Sequence, residues 1–230
     1  MGERPVPDEP AYIVSDLHLG SEFFYRECFL AWLRQLPAGA RLILNGDVID
    51  DPTEQLPPAH AAVLRELAAA AAQRPVVWVR GNHDDGERHP GNSGMQFVDH
   101  WLIPGQVLVM HGDFLDDVMP RHEAFKWVFR RLHALRLLLG ARRVHVAEYA
   151  KRWRLLYDVL DRHVARNAAR RARELGCPTI VCGHTHAVTD RLIEGVRYVN
   201  TGAWTEKPLC YAVAGPDGVR LEEFDGGAVR

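Results

Sequence analysis

The 230-residue chain has no apolar run that approaches the roughly 20 residues an α-helix needs to span a bilayer. Its first ten residues are polar and proline-rich; without the apolar segment of a signal peptide, they predict a protein that is not exported. The four cysteines are scattered and form no Cys-x-x-Cys pair. The sequence therefore offers no cysteine-ligated zinc site, and we expect reduced, mostly buried thiols in a cytoplasmic protein.

Charged residues are unevenly distributed, although the net charge is only −2. Residues 121–174 contain 15 Lys or Arg against 5 Asp or Glu, a net charge of +10, and the rest of the chain contains 13 against 25, a net charge of −12. The basic segment predicts either a solvated arginine-rich face or an anionic partner: a membrane surface, a nucleotide diphosphate or a nucleic acid. No RNA- or DNA-binding motif is present, so nucleic acid is the least favoured of these.

Five short polar motifs each follow an apolar, strand-like run. Polar side chains at several strand ends can converge on one edge of a sheet, so we expect a single polar cluster there. Because the side chains are Asp, Asn and His, the cluster is a candidate metal site. The motifs are Ser15–His18, Asn45–Asp50, Arg80–Asp84, His111–Asp113 and Gly183–His186.

The first 84 residues alternate between strand and helix patterns. This alternation predicts an α/β fold in which crossover helices cover the strands. The predicted elements are strands at Tyr12–Val14, Arg41–Leu44 and Val76–Val79, and helices at Glu22–Leu36 and from Pro57 to about Gln73. Met95–Ile103 fits neither pattern clearly, and Gln106–Met110 is predicted to be a strand.

Between Pro120 and Gly176 the pattern is helical almost throughout, with helices predicted at Arg121–Leu139 and Val144–Leu175. More than fifty helical residues exceed an ordinary crossover. We therefore interpret residues 120–176 as a helical insertion standing over the site, within one domain that covers residues 1–230.

The remaining C-terminal residues read as four strands joined by turns. We expect them to form an antiparallel part of the sheet or a second sheet. They are Val188–Ile193, Arg197–Asn200, Leu209–Ala214 and Val219–Phe224.

Seven of the motif residues are candidate metal ligands, more than one tetrahedral ion can use. Two divalent ions that share a carboxylate account for the full set. Oxygen and imidazole donors without thiolate favour Mn²⁺, with Fe or Zn²⁺ as alternatives. Such a pair favours in-line attack of metal-bound hydroxide on phosphorus. The candidate ligands are Asp16, His18, Asp47, Asn82, His111, His184 and His186.

These motifs resemble, in the same order, the five signature blocks of the calcineurin-like metallophosphoesterases. The resemblance implies a four-layer β-sandwich flanked by helices, and it implies a phosphoric ester or diphosphate hydrolase. The blocks are Asp16-x-His18, Gly46-Asp47-x-x-Asp50, Gly81-Asn82-His83-Asp84, His111 and Gly183-His184-x-His186.

The resemblance also implies a role for each matching residue. Asp16, His18 and His186 would hold the first ion, Asn82, His111 and His184 would hold the second, and Asp47 would bridge the two. His83 would stabilise the transition-state oxygen or protonate the leaving group, and Asp84 would orient the imidazole of His83. Asp50 and Asp113 are equally suited to bonding a ligand or the loop backbone and to touching substrate.

A narrower resemblance is to the UDP-2,3-diacylglucosamine hydrolases. It rests on Ser15–Gly20, on His111–Asp113, on the helical insertion and on Tyr198-Val-Asn-Thr-Gly-x-Trp204. The chain departs at His83 from the best-characterised hydrolases of this branch, which have Arg there, and is similar instead to relatives that have His. The resemblance implies cleavage of the pyrophosphate of a UDP-linked diacyl sugar during lipid A synthesis, with acyl chains sheltered by the insertion. Residues available for that shelter are Trp127, Phe129, Leu132, Leu135, Leu137, Leu138, Leu139 and Trp153.

Two alternatives remain open from the sequence. One keeps the metals but has a soluble nucleotide, a cyclic nucleotide or a phosphoprotein as substrate. The other is a metal-binding scaffold without turnover, which the complete ligand set and the intact His83 disfavour. If the substrate is lipid-linked, we expect the basic insertion to contact the inner face of the membrane.

Overall fold

Two β-sheets lie face to face in the computed structural model, which describes residues 10–84, 94–103, 106–117, 131 and 154–226. One 3₁₀ turn, Asp113–Leu115, follows the sixth strand. The helices are α1 (Arg26–Gln35), α2 (Pro58–Ala71) and α3 (Arg154–Glu174). The strands are β1 (Ala11–Val14), β2 (Arg41–Asn45), β3 (Val76–Val79), β4 (Gln96–Val98), β5 (Trp101–Ile103), β6 (Val107–Val109), β7 (Thr179–Cys182), β8 (Thr189–Ile193), β9 (Val196–Asn200), β10 (Cys210–Gly215) and β11 (Gly218–Glu223).

Both sheets have a parallel centre, and each has at least one antiparallel edge. The first has the strand order β11-β10-β1-β2-β3-β4, in which β1 to β4 are parallel and β10 runs antiparallel to β1. The second has the order β5-β6-β7-β9-β8, with β6, β7 and β9 parallel. All five strands that precede the polar motifs are therefore central strands, and their carboxyl ends lie between flanking neighbours.

Alternating residues on the first sheet serve two separate cores, as the two-residue period of a strand requires. Ile13, Ile43 and Val77 pack between the sheets against Val109 and Val181 of the second sheet. This buried layer makes the two sheets a β-sandwich.

The opposite face of the first sheet is covered by helices. Val14, Leu44 and Trp78 pack in one cluster with Phe29 of α1 and Leu67 of α2. Helix, sheet, sheet and helix thus form four layers, which confirms the predicted α/β fold and flanked sandwich.

Helix α3 forms the fourth layer. Its small residues Ala165, Ala168 and Ala172 pack against Ile180 and Tyr198 on the outer face of the second sheet. Small side chains let a helix approach closely, so this contact is well packed. In the described part of the chain no helix is both long and apolar enough to cross a membrane.

Most of the predicted insertion lies outside the described residues, including the Arg121–Leu139 helix apart from Arg131. The apolar residues proposed to shelter acyl chains also lie outside them. The part that is described, from Arg154 onward, is α3. The single domain over residues 1–230 and the insertion at about 120–176 stay predictions.

The structure assigns the strands to two sheets, which the sequence alone left partly open. The five motif-bearing strands belong to two sheets rather than one, because β6 and β7 lie in the second sheet. The ambiguous Met95–Ile103 contains two three-residue strands, β4 in the first sheet and β5 in the second. The C-terminal strands likewise divide, with β8 and β9 in the second sheet and β10 and β11 in the first.

Trp204 joins the C-terminal strands to α1, and its replacement tests this packing. The side chain is fully buried, with its ring centroid 5.4 Å from Phe29 and 5.5 Å from Trp32. We expect Trp204→Ala to lower the free energy of unfolding by about 3–5 kcal/mol, because it leaves a large cavity. Leu192→Ala, at an exposed position, should change it by less than about 0.5 kcal/mol. Urea denaturation measures both, and equal effects would contradict this account.

Candidate metal centre

The seven candidate ligands follow the carboxyl ends of five central strands. Asp16 and His18 come after β1, Asp47 after β2 and Asn82 after β3. The second sheet supplies His111 after β6, and His184 and His186 after β7. Because the sheets pack face to face, these loops meet at one end of the sandwich.

Five of the seven ligands have left-handed backbone conformations. Non-glycine residues rarely adopt a positive φ, and such strain persists only where surrounding contacts enforce it. Among the described non-glycine residues, the one other positive φ is that of Glu194, in a turn. The strain is therefore concentrated at the candidate site. The φ angles are 55° at Asp16, 50° at His18, 50° at Asp47, 65° at His184 and 55° at His186.

Backbone hydrogen bonds connect these loops to each other. The amide of Asp16 donates to the carbonyl of Gly46 at 3.0 Å, and the amide of His18 donates to the carbonyl of Asp47 at 3.0 Å. In the second sheet, the amide of Gly183 donates to the carbonyl of His111 at 2.9 Å. Each ligand loop is thus braced by its neighbour.

The buried side chain of Asn45 links the two sheets beside the site. Its Nδ2 lies 3.3 Å from the carbonyl oxygens of both Met110 and Val181, at the ends of β6 and β7. The backbone carbonyl of Asn45 accepts a hydrogen bond from Nδ1 of His111 at 2.9 Å. Asn45 therefore fixes the spacing of the sheets and the orientation of one candidate ligand.

Two glycines leave room for the ligand carboxylates. A Cβ atom at Gly81 would lie 2.3 Å from the backbone nitrogen and Oδ1 of Asp47, and one at Gly183 would lie 2.3 Å from Oδ2 of Asp16. These separations are far shorter than a van der Waals contact. The close approach explains why both motifs contain glycine.

Asp16, His18 and His186 form a compact buried group, as expected for the first ion. Their ligand atoms all lie within 4.8 Å of one another. Nε2 of His186 is 3.2 Å from Oδ1 of Asp16 and 3.3 Å from Nε2 of His18. Two imidazole nitrogens and a carboxylate oxygen therefore point at one small volume.

The residues expected for the second ion form two adjoining pairs. Nε2 of His111 is 3.2 Å from Oδ2 of Asp47, and Nδ1 of His184 is 3.0 Å from Oδ1 of Asn82. The rings of His111 and His184 meet edge to face, with centroids 5.4 Å apart. Asp16, Asp47 and His111 also group within 4.8 Å, so Asp47 and His111 adjoin the first group through Asp16, which both groups share.

Each candidate histidine directs one ring nitrogen at the site and has an oxygen near the other. Such partners fix the orientation and tautomer of metal-binding imidazoles. Sequence reasoning missed Asp116 and Glu206 because neither belongs to a spaced motif. The contacts are Nδ1 of His18 with Asp50 at 2.9 Å, Nδ1 of His111 with the Asn45 carbonyl at 2.9 Å, Nε2 of His184 with Asp116 at 3.1 Å, and Nδ1 of His186 with Glu206 at 3.7 Å.

Buried opposite charges dominate the electrostatics of the site. Burial raises the pKa of Asp16, but His186 and His111 oppose it and hold that pKa at about 2. Burial has the same effect on Asp47, and His111 outweighs it, so the pKa of Asp47 is lowered. Burial lowers the pKa of His186, yet Asp16 raises it to about 9. The carboxylates therefore stay ionised and attract positive charge.

These residues fit a pair of divalent cations. Nε2 of His111 is buried without a hydrogen bond in the described structure, and it faces the ionised Asp47. A buried imidazole nitrogen 3.2 Å from a carboxylate oxygen is an arrangement that a metal ion between the two would complete. The remaining donors are carboxylate oxygens, an amide oxygen and imidazole nitrogens, the set that suits Mn²⁺, Fe or Zn²⁺.

His83 lies at the edge of the centre, beside Asp47. Its backbone amide donates to Oδ1 of Asp47 at 2.9 Å, and its Nε2 is 4.0 Å from Oδ2 of the same residue. Its Nδ1 is 2.6 Å from the carbonyl oxygen of Asp50. The imidazole therefore has Nε2 directed at the site.

The structure corrects the expected contact of Asp84. Its carboxylate accepts hydrogen bonds from the amides of Val48 and Ile49, from Nε1 of Trp78 and from the amide of Gly81. The imidazole of His83 is instead held by the Asp50 carbonyl. Asp84 braces two ligand loops because it lies beneath them, where their amides converge.

Asp50 and Asp113 differ in position. Asp50 bonds the candidate ligand His18, which is one of the two roles considered from sequence. Oδ1 of Asp113 is buried without a hydrogen bond in the described residues. Burial raises the pKa of Asp113, and His111 and His184 only partly oppose it.

The Tyr198–Trp204 motif is structural. Nδ2 of Asn200 donates to the Gly183 carbonyl at 2.6 Å. The Ser15 hydroxyl pairs with Thr201 at 2.7 Å and donates to the Gly202 carbonyl at 2.9 Å. The motif therefore supports the loops before Asp16 and His184 from behind.

Comparison with known proteins agrees with this geometry. The family model described as calcineurin-like phosphoesterase matches residues 10–188, a stretch that contains every candidate ligand. The chain belongs to the calcineurin-like phosphoesterases. The solved structure of Yfce, a phosphoesterase from E. coli, has a TM-score of 0.51 with 16% identity and covers 94% of this chain and 93% of its own. That likeness supports the shared fold.

Curated relatives extend along most of the phosphoesterase chain. A UDP-2,3-diacylglucosamine hydrolase from Coxiella burnetii is 27% identical over 216 residues, which cover 83% of this chain and 88% of the relative. One from Neisseria meningitidis serogroup C is 28% identical over 219 residues, covering 85% and 90%. Family and relatives together identify a phosphoester hydrolase, and the family implies divalent metal ions.

Gly81→Ala tests whether Asp47 must approach the backbone of the Asn82 loop. The added Cβ would collide with Asp47, so we expect Mn²⁺ affinity to fall by about 10–100-fold. Isothermal titration calorimetry measures the affinity. Gly215→Ala is the control, because its nearest neighbour would be 4.0 Å away. Wild-type affinity in Gly81→Ala would refute the central placement of Asp47.

Metal binding should release protons. In the metal-free protein the pKa values of His111 and His186 are raised, so both rings carry protons at pH 7, which an ion must displace. Affinity for Mn²⁺ should therefore rise with pH until about pH 9, the pKa of His186. Calorimetry in two buffers of different ionisation enthalpy measures the release. A binding enthalpy independent of the buffer would contradict this prediction.

Proposed function

We propose that this phosphoesterase is a two-metal hydrolase that cleaves the pyrophosphate of a UDP-linked, diacylated glucosamine. The observation that carries the proposal is that two groups of candidate ligands adjoin at Asp16: Asp16 with His18 and His186, and Asp16 with Asp47 and His111. Support for the substrate comes from relatives named UDP-2,3-diacylglucosamine hydrolase, which align with 83–85% of this chain. The proposed setting is lipid A synthesis.

The donor set divides between two proposed ions. Asp47 would be shared, as the resemblance to the family's signature blocks implies; it groups with Asp16 and His111 and lies 3.2 Å from Nε2 of His111. When bound, divalent ions would activate water and neutralise phosphoryl oxygens; Mn²⁺ is the ion we propose. The first ion would be held by Asp16, His18 and His186, and the second by Asn82, His111 and His184.

The proposed role of His83 is to act on the substrate through one ring nitrogen, Nε2. The Asp50 carbonyl can only accept a hydrogen bond, so Nδ1 of His83 carries the proton. Nε2 is then the atom that faces the reacting phosphate, and the side chain is partly exposed, as access to substrate requires. In its protonated form Nε2 would donate to a phosphoryl oxygen or to the leaving oxygen.

The proposed reaction is a hydrolysis that balances without another reactant. The oxygen of water bonds to phosphorus while the bridging P–O bond of the pyrophosphate breaks. The bridging oxygen leaves on one phosphate, and the water protons pass to the two products and solvent. The products are UMP and a diacylglucosamine 1-phosphate.

The exposed arginines of helix α3 support an anionic partner for the basic segment, residues 121–174. Arg162, Arg166 and Arg170 are exposed along one face at four-residue spacing, whereas Arg173 pairs with Glu194 at 3.1 Å. Repeated cations on one face attract anionic lipid headgroups. We include contact with the inner membrane surface in the proposal.

A substrate panel with Mn²⁺ tests this function. We expect UMP release from UDP-2,3-diacylglucosamine and little from UDP-N-acetylglucosamine, which lacks the two long acyl chains. His83→Ala should lower kcat by about 10²–10⁴-fold through loss of proton donation, and Asp47→Asn should abolish turnover.

His100→Ala is the matched control, because His100 is an exposed histidine outside the site, and its kcat should equal that of wild type. Equal rates with and without long acyl chains would refute the lipid substrate. Full activity in Asp47→Asn would refute the two-metal mechanism itself.

A further inference from the structure

Thr185 stands between two candidate ligands, His184 and His186, in a strained loop of the site. Both neighbours have a positive φ, 65° and 55°. A loop in this conformation needs external contacts to stay in place. Thr185 makes such contacts, and two of them come from a helix outside the signature blocks.

The contact partner is Asp161 on α3. The Thr185 hydroxyl donates to Oδ1 of Asp161 at 3.0 Å. Oδ2 of Asp161 accepts from the guanidinium of Arg191, on β8, at 2.8 Å. The Asp161 residue is buried, at 7% exposure, so its charge is held by these two partners.

Other groups close the network around the same threonine. Nδ2 of Asn200 lies 3.1 Å from the Thr185 hydroxyl oxygen, and the Tyr157 hydroxyl on α3 donates to the Thr185 carbonyl. Arg191 is further fixed by the ring of Tyr198, with its guanidinium carbon 5.7 Å from the ring centroid. The loop is therefore clamped from α3, β8 and β9 together.

We infer that Asp161 is a positioning residue of the metal centre, acting through Thr185. It would keep His184 and His186 in the left-handed conformations that aim their ring nitrogens at the two ion positions. This inference rests on the proposed function, since it requires those histidines to bind ions. Helix α3, which carries none of the ligand motifs, would thus influence metal affinity through Asp161.

The test measures Mn²⁺ binding to metal-free protein by isothermal titration calorimetry, with melting followed by circular dichroism. Asp161→Ala and Thr185→Val should each weaken Mn²⁺ affinity about tenfold, the lower end of the effect of removing a supporting partner. Thr185→Ser keeps the hydroxyl and should bind within about twofold of wild type. Because both changes remove the Thr185–Asp161 hydrogen bond, the double variant should lose less affinity than the two single losses multiplied together.

Asp158→Ala is the matched control. Asp158 lies on the same helix and carries the same charge, but its side chain is exposed, so its loss should not change Mn²⁺ affinity. If Asp161→Ala lowers the melting temperature too far for binding to be measured, the Mn²⁺ affinity of Thr185→Val tests the inference instead. Valine has nearly the shape of threonine, so this variant should keep its fold.

Two outcomes overturn the inference. If wild type binds two Mn²⁺ ions and Thr185→Val and Asp161→Ala bind them equally well, only the positioning role fails. A lower melting temperature with unchanged affinity has the same meaning, since it shows a role in stability alone. If wild type binds no Mn²⁺, the proposed function fails together with this inference.

Discussion

The burial of two carboxylates, Asp16 and Asp47, is the constraint on which the rest of the site depends. Both are at most 2% exposed, and an uncompensated buried charge is costly. The compensation comes from His111 and His186, whose pKa values these carboxylates raise. The surrounding protein thus holds negative charge that protons neutralise in the metal-free chain and that cations would neutralise in the active enzyme.

The sandwich makes this arrangement possible because it brings loops from two sheets to one end. Asn45 connects the sheets at the level of the ligands, and Asp84 gathers the amides of the Asp47 and Asn82 loops. In this calcineurin-like phosphoesterase, the role of the scaffold is to hold five candidate ligands in left-handed conformations.

Local pattern was enough to find the strands and the candidate ligands. Apolar runs such as Val76–Val79 are buried on both faces, and each polar motif follows its strand directly. Assigning strands to sheets was beyond that reasoning, since Val107–Val109 and Val76–Val79 look alike in sequence but lie in different sheets. The three-residue strands β4 and β5 are too short to show a period.

The residues that contact the candidate ligands from outside could not be predicted from the sequence either, for a different reason. Asp116 meets His184 across 68 positions, and no spacing rule relates residues so distant. The orientation of His83 by a backbone carbonyl, rather than by Asp84, depends on loop geometry alone. Sequence therefore predicted which residues have the chemistry, and the fold was needed to show what holds them.

The most direct test of the central claim is anomalous diffraction from crystals grown with Mn²⁺. The account predicts two manganese peaks about 3.5–4 Å apart, one on each side of the Asp47 carboxylate. The first should lie among Asp16, His18 and His186, and the second among Asn82, His111 and His184. A map with no manganese between these loops, or with a single ion that Asp47 does not touch, would contradict it.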